Sequence, residues 1–327
     1  MHLALAPRRR LSASYGAAAP EILAALDGAI AAREAAGAPT RAYDPEEGLP
    51  DLGVAPAPLE PAALIAQIGA AHEALLRRGA IIESLWIVGG PDLAPFAQLP
   101  NPMPDSDGPL LTDAPYALAS LAEPMVRWPV GRTPHTDPPA PGLLPALLRQ
   151  VADAHRAGPR AAGGTLVLSA ARWAAVTAQV IADILEAELR LAPPLQANSK
   201  EARSLEAARL IYGNLHGVQG GDAWYGQPPA DTELVPALRP AHLAGLRLDR
   251  AVVISQACFG ARLAPVGETP SLAPALLAAG ASGLVASLGL TYGAPDPPPG
   301  ESDLLAQALL RALQAPGARL GEALLSA

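Results

Sequence analysis

Short runs rich in valine, isoleucine and leucine alternate with alanine- and leucine-rich stretches along most of the chain, and no other feature limits the fold as much. A hydrophobic strand followed by a helical stretch and another hydrophobic strand is the pattern of a largely parallel sheet flanked by helices. His2–Ala6, Thr40–Tyr43, Ser84–Val88, Thr165–Ser169, Arg209–Leu215, Ala251–Gln256 and Gly283–Leu288 read as strands. Pro20–Ala36, Pro61–Arg78, Gly142–Arg156, Arg172–Leu189, Leu272–Ala279 and Ser302–Gln314 read as helices. In Pro61–Arg78, Ile65, Ile68, His72 and Leu75 recur at helical spacing, and Gly79 follows as a stop signal.

A chain of 327 residues is comfortable for two domains. Between Pro91 and Pro139 it is rich in proline and aspartate, and Pro134, Pro138, Pro139 and Pro141 crowd together. That cluster marks the expected boundary between an N-terminal α/β subdomain at 1–135 and a second at 136–327. Half of the residues are hydrophobic but only 4% are aromatic, so the core is expected to rest on many close contacts between small side chains.

The net charge is -8, and no basic stripe with interleaved aromatics occurs, which argues against nucleic acid as a partner. Arg8-Arg9-Arg10 reads as a solvated strand end. The first residues lack the pattern of a signal peptide, and no run approaches the ~20 apolar residues of a membrane span. A cytoplasmic protein with no membrane association is expected, with its thiol kept reduced. The single lysine, Lys200, among abundant Ala, Pro, Gly and Arg fits a GC-rich, bacterial genome.

Two strands end in chemically useful residues. Ile211-Tyr212-Gly213-Asn214-Leu215 runs into His216-Gly217, and Val252-Val253-Ile254-Ser255-Gln256-Ala257 runs into Cys258-Phe259-Gly260. Cys258 is the only cysteine, which removes disulfide and zinc-thiolate readings. Taken alone, Cys258 fits a small buried hydrophobe and His216 a satisfied structural histidine. Taken together, at the edge where open α/β sheets bind ligands, they fit a thiol nucleophile and the base that activates it. Gly217 allows a sharp turn, and its amide with that of Cys258 could form an oxyanion hole, in which each donor is worth about 2.7–4 kcal/mol.

The other histidines carry weaker signals. His72 and His155 lie in helices and His135 and His242 in proline-flanked loops, with no pair at metal-ligand spacing, so no metal site is expected. Asp105-Ser106-Asp107-Gly108, with Asp113 following, has the look of a calcium loop but lacks the downstream glutamate, and a plain Asx-turn hairpin is favoured. No cofactor is expected, calcium being the one candidate.

These residues carry a resemblance. His216-Gly217 followed by Gln256-Ala257-Cys258-Phe259-Gly260 resembles the caspase–hemoglobinase group of cysteine peptidases, and the wider chain most resembles the gingipain-type branch. Leu85–Phe96, Leu111-Thr112-Asp113-Ala114-Pro115-Tyr116 and Val130-Gly131-Arg132-Thr133-Pro134 are similar to that branch's strand and turn, "TD-PY" and "VGR-P" segments. Asn214–Gly217 with Trp224-Tyr225-Gly226, and Leu272–Ala279, Gly283–Gly289 and Leu320-Gly321-Glu322-Ala323, resemble its later segments. The similarity spans roughly residues 84–325.

The resemblance implies a caspase-like three-layer α/β/α sandwich with a mostly parallel sheet, preceded by a smaller α/β subdomain. It implies peptide-bond hydrolysis through a thioester, with Cys258 as nucleophile, His216 as general base and acid, and the amides of Gly217 and Cys258 as oxyanion hole. Protein or peptide substrates follow, with a regulatory protein as a further partner. Gln256 stands where caspases shape the pocket for the P1 residue. Arg172, after the strand Thr165–Ser169, would favour an acidic P1 residue, or the pocket would take a small one. Asp222 and Trp224 are further candidates for the cleft.

Three departures stand out. Phe259 replaces a small or polar residue, the secretion signal of gingipains is absent, and the chain stops soon after Glu322, leaving a sheet edge incomplete or covered by a partner. The competing reading is a non-catalytic interaction module, in keeping with the proline-rich stretches Pro134–Pro141 and Pro295–Pro299. The intact His216, Gly217 and Cys258 weigh against it.

Overall fold

The computed structural model describes residues 1–327 except 106, 137–138, 159–162, 266 and 316, and except the side chains of Glu123 and Pro124. Two compact units emerge, Met1–Gly158 and Pro159–Ala327. Ser106 of the acidic loop and Pro138 of the proline cluster lie outside the described residues.

The first unit is built on a four-stranded parallel sheet in the order Thr40–Tyr43, His2–Leu5, Ser84–Val88, Val130–Thr133. Alternate side chains of a strand face opposite layers. Leu3, Leu5, Leu85 and Ile87 pack with Leu64 and Ile68 of helix Pro61–Leu76, whereas Ala4, Trp86 and Val88 pack with Ile22 and Leu26 of helix Ala19–Ala35 and Leu144 and Leu148 of helix Leu143–Ala157. The last of these helices, expected to open the later subdomain, thus belongs to the earlier one. Its apolar face is committed to that sheet, and the division comes after Gly158 rather than after residue 135.

Two segments named in the resemblance meet here. The Arg132 guanidinium donates to both Asp113 carboxylate oxygens, at 2.6 and 2.8 Å, and to the carbonyls of Gly89, Gly90 and Ala94. Arg132 therefore ties "VGR-P" to "TD-PY" and to the turn after Ser84–Val88, and it is itself nearly buried. Asp113 is committed to that pair. Asp105 Oδ1 accepts from the Asp107 amide at 2.8 Å, the Asx-type turn that competed with the calcium reading. No group of acidic, histidine or cysteine side chains able to hold a metal ion occurs among the described residues. Arg8-Arg9-Arg10, expected at a strand end, instead opens helix Arg8–Tyr15, whose Arg9 amide is capped by Asp44.

The second unit holds a five-stranded parallel sheet in the order Ala187–Ala192, Thr165–Ala170, Leu210–Asn214, Val252–Ser255, Gly283–Val285. One face, with Leu166, Leu168, Ile211 and Val253, packs on Leu272 and Leu276 of helix Leu272–Ala278. The other, with Val167, Tyr212 and Ile254, packs on Leu309 and Leu310 of helix Ser302–Leu313. This is the three-layer α/β/α sandwich with a mostly parallel sheet.

The long helix expected over Arg172–Leu189 is not formed. Only Ala174–Val180 is α-helical, and Ala187–Ala192 is the edge strand. Glu186, Glu188 and Arg190 alternate with Ala187, Leu189 and Leu191, a period of two that overrides the helix propensity of the individual residues. Among the described residues no helix is long and apolar enough to cross a membrane.

Candidate active site

The strands carrying the histidine and the cysteine are direct neighbours in the sheet, with Gly213 paired to Ser255. His216 and Cys258 each stand three residues beyond that pair, at the same edge of the sheet. The chain after Asn214 does not continue the parallel strand. His216–Gly217 turns away to pair antiparallel with Trp224–Gly226, which pairs in turn with Val235–Leu238. Gly217 is consequently pressed against the Cys258 backbone, leaving no space for a β-carbon.

The sharp turn after the cysteine strand is made by Cys258-Phe259-Gly260. Phe259 has φ of 55°, a left-handed conformation uncommon for a side chain of its size. It is held by its amide donating to the Gly289 carbonyl at 2.9 Å, while the Ala261 amide donates to Ser287 and the Gly260 amide to Ala257. Strained residues of this kind persist where the surroundings over-determine them. The Cys258 sulfur, partly exposed, accepts from the Thr291 amide at 3.3 Å and lies 3.6 Å from the Thr291 carbonyl.

His216 is half-buried between two side chains. The Trp173 ring stacks on it at 4.1 Å between centroids, tilted by 42°. Its Nε2 lies 2.9 Å from Gln227 Oε1, which can only accept, so the proton resides on Nε2 and Nδ1 is left as the basic nitrogen. Gln227 is itself fixed, its Nε2 donating to the Asp231 carbonyl and its own carbonyl accepting from the Arg172 amide. Burial lowers the His216 pKa, and the bond to Gln227 opposes that shift. A neutral imidazole beside a thiol is the form able to take its proton. Among the described residues, His216 and Cys258 are not joined by a hydrogen bond; Gln227 orients one and Thr291 the other.

A shallow cleft runs from Cys258 along Gly217, Val218, Asp222, Trp224 and Arg262. Asp222 lines it, with its carboxylate paired to Arg239 and within 3.4 Å of the Tyr225 hydroxyl. Trp224 borders it but is a core residue, buried against Gly213. Arg172 lies apart from those residues: its guanidinium makes a bidentate pair with Asp296 at 2.8 and 3.0 Å. Gln256 points away from the cleft altogether. It is buried, accepting from the Tyr212 hydroxyl and donating to Ser302 Oγ and Asp303 Oδ1, so it does not line a P1 pocket as expected. Gln256 has the parity of Ile254, on the face packed beneath helix Ser302–Leu313, whereas the strand ends at Ser255 and the turn that follows frees Cys258 from that alternation.

Trp173, Gln227 and Thr291 were not legible as site residues in the sequence. Trp173 directly follows Arg172 after the strand Thr165–Ala170, and that place at a strand end is its one sequence signal. Gln227 and Thr291 come from segments with no motif of their own.

No protein-family model and no curated protein matches the sequence. Solved structures do. The Arg-specific cysteine proteinase gingipain R (RgpB) is similar with a TM-score of 0.66 at 13% identity, over 99% of this chain and 71% of that one. A complex of the pro- and mature domains of Porphyromonas gingivalis RgpB matches with a TM-score of 0.64 at 13% identity, over 99% of this chain and 72% of that one. A structure described as a protease matches with a TM-score of 0.60 at 15% identity, over 89% of this chain and 60% of that one. The chain has a gingipain-like, caspase–hemoglobinase fold. At these identities the likeness is one of fold, and what the residues of this gingipain-like chain do rests on the geometry above.

Proposed function

We propose that the second unit is a cysteine endopeptidase that hydrolyses peptide bonds of protein or peptide substrates through a thioester on Cys258. The observation that carries this reading is that His216-Gly217 and Cys258 follow two paired strands at the same edge of the sheet, with the Gly217 and Cys258 backbones in contact at the cleft. His216 Nδ1 takes the thiol proton, and the thiolate attacks the carbonyl carbon of the scissile bond. The amides of Gly217 and Cys258 are the proposed donors to the resulting oxyanion. His216 then returns its proton to the leaving amine, and water, deprotonated by His216, releases the acid and the thiol.

Trp173 and Gln227 hold the imidazole, and Asp222 and Trp224 shape the cleft. No cofactor takes part in this scheme, and calcium is retained only as a test condition. One similar structure contains a pro-domain with its mature enzyme, which supports including a regulatory protein partner in the proposal. A single unpaired thiol suits a reducing, cytoplasmic setting.

The test is cleavage of a fluorogenic peptide library varied at P1, with and without calcium, by the wild type and by Cys258→Ala. Cleavage that disappears in a folded Cys258→Ala protein supports the proposal. Cleavage that survives the substitution rules it out. The remaining reading, a non-catalytic module, is favoured by one observation, that the thiol and the imidazole each bond elsewhere. It predicts that Cys258 reacts with iodoacetamide no faster than an ordinary thiol.

A further inference from the structure

Beneath the thiol lies a buried polar network that the reaction scheme does not use. Asp303, in the first turn of helix Ser302–Leu313, is 1% exposed, yet it is a carboxylate, a group rarely buried unless its oxygens are matched by donors. Here they are matched. Oδ2 accepts from the amides of Ala294 at 2.7 Å and Gly300 at 3.3 Å, and Oδ1 accepts from Gln256 Nε2 at 3.0 Å. Gly293 packs directly on the carboxylate, where a β-carbon would come within 3.1 Å of Oδ1. The neighbouring Ser302 hydroxyl donates to the Tyr292 carbonyl at 2.5 Å and accepts from Gln256.

Every one of these bonds ends on one of two segments. Gln256 lies two residues before Cys258 on the chain that delivers the nucleophile. Tyr292, Ala294 and Gly300 belong to residues 289–300, the segment whose Thr291 amide donates to the Cys258 sulfur. The Thr291 carbonyl also lies 3.6 Å from the sulfur, so the backbone of this one residue fixes where the sulfur sits through both of its polar groups. We propose that Asp303 is a positioning residue for Cys258: its carboxylate joins the nucleophile's chain to residues 289–300 and so sets the Thr291 N–H against the sulfur. The contact stands on geometry alone, and its consequence for turnover rests on the peptidase reading.

The experiment measures the alkylation rate of Cys258 by iodoacetamide at neutral pH, together with kcat and KM for a cleaved peptide, in the wild type, Asp303→Asn and Asp303→Asn with Gln256→Glu. Melting temperature monitors folding. Asp303→Asn places a donor against the Gln256 amide; the double substitution returns a carboxylate to the same pair from the other side. Expected are about tenfold slower alkylation and a similar fall in kcat with KM within twofold for Asp303→Asn, and alkylation within threefold of wild type for the double variant.

A folded Asp303→Asn protein that alkylates at the wild-type rate overturns the inference. So does a double variant that regains the melting temperature but not the rate. Ser302→Ala releases the Tyr292 carbonyl while keeping Asp303, and it should slow alkylation as well; an unchanged rate there also counts against the proposal, whether or not Asp303→Asn folds. If no peptide is cleaved but alkylation follows the expected order, the peptidase reading fails and the positioning role stands.

Discussion

Gly217 has no side chain because Cys258 occupies the space: a β-carbon on Gly217 would fall 1.7 Å from the Cys258 carbonyl oxygen and 3.0 Å from its amide nitrogen. Backbone cannot yield as the tip of a flexible side chain can. Gly217→Ala is therefore expected to push the His216 strand off the cysteine turn, at a cost of about 1–3 kcal/mol or more in stability and with loss of cleavage. Urea melts and the peptide assay check both, and an alanine variant with wild-type turnover would refute the close approach.

The imidazole of His216 depends on Gln227. Burial holds the His216 pKa below its ordinary 6.5 and the Gln227 bond pushes it back up. The basic form is needed for attack, so the acid limb of kcat/KM is expected below pH 6.5 in the wild type. In Gln227→Ala the limb should move further down, while kcat falls about tenfold as the ring loses its orientation. A pH–rate profile of both proteins decides this, and a limb that moves up would contradict it.

The same depressed pKa has a sign for stability. The unfolded chain binds a proton to this histidine at its ordinary value, whereas the folded protein resists it. The stability contribution is thus complete above about pH 6.5, is lost as the pH falls toward the folded-state value, and levels off below it. Compared with His216→Gln, the wild type should lose melting temperature progressively below pH 6.5, and parallel curves for the two proteins would show the effect to be absent.

Arg172 is occupied by Asp296, an exposed pair whose removal should leave the melting temperature nearly unchanged. Asp296→Ala removes the carboxylate from the Arg172 guanidinium, which keeps its bond to the Pro295 carbonyl at 3.2 Å. The expected outcome is a higher kcat/KM for peptides with acidic P1 residues relative to small ones, a gain abolished by adding Arg172→Ala. A P1 library read in all three proteins measures it, and an unchanged acidic-to-small ratio in Asp296→Ala removes Arg172 from specificity.

In the first unit, Arg132 is nearly buried and joined to Asp113 and three carbonyls. Arg132→Ala leaves the Asp113 carboxylate and those carbonyls without their donor, and a loss of about 3–5 kcal/mol is expected. Arg132→Lys should recover only part, because an ammonium lacks the planar fork that serves several acceptors at once. Equilibrium unfolding provides the comparison, and full recovery by lysine would show that charge alone suffices.

Much of this protein was written in local pattern. The strands Ser84–Val88, Leu210–Asn214 and Val252–Ser255 are continuous apolar runs because both faces of a parallel sheet are covered, so their positions, the α/β class and the strand ends bearing His216 and Cys258 follow from the amino-acid order alone. Pattern competes with itself where signals overlap. Arg172–Leu189 is rich in helix formers, and the two-residue alternation of its last part prevailed only because a strand edge, Thr165–Ala170, was there to pair with. The tertiary structure alone decided which side each strand-end residue faces and what meets it. The left-handed turn at Phe259 leaves Cys258 at the cleft, Gln256 is drawn inward to Tyr212 and Asp303, Trp173 and Gln227 close on the imidazole, and Thr291 reaches the sulfur. Those contacts join residues far apart in the chain, and their formation depends on packing and on burying polar groups against matched partners, which no local periodicity encodes.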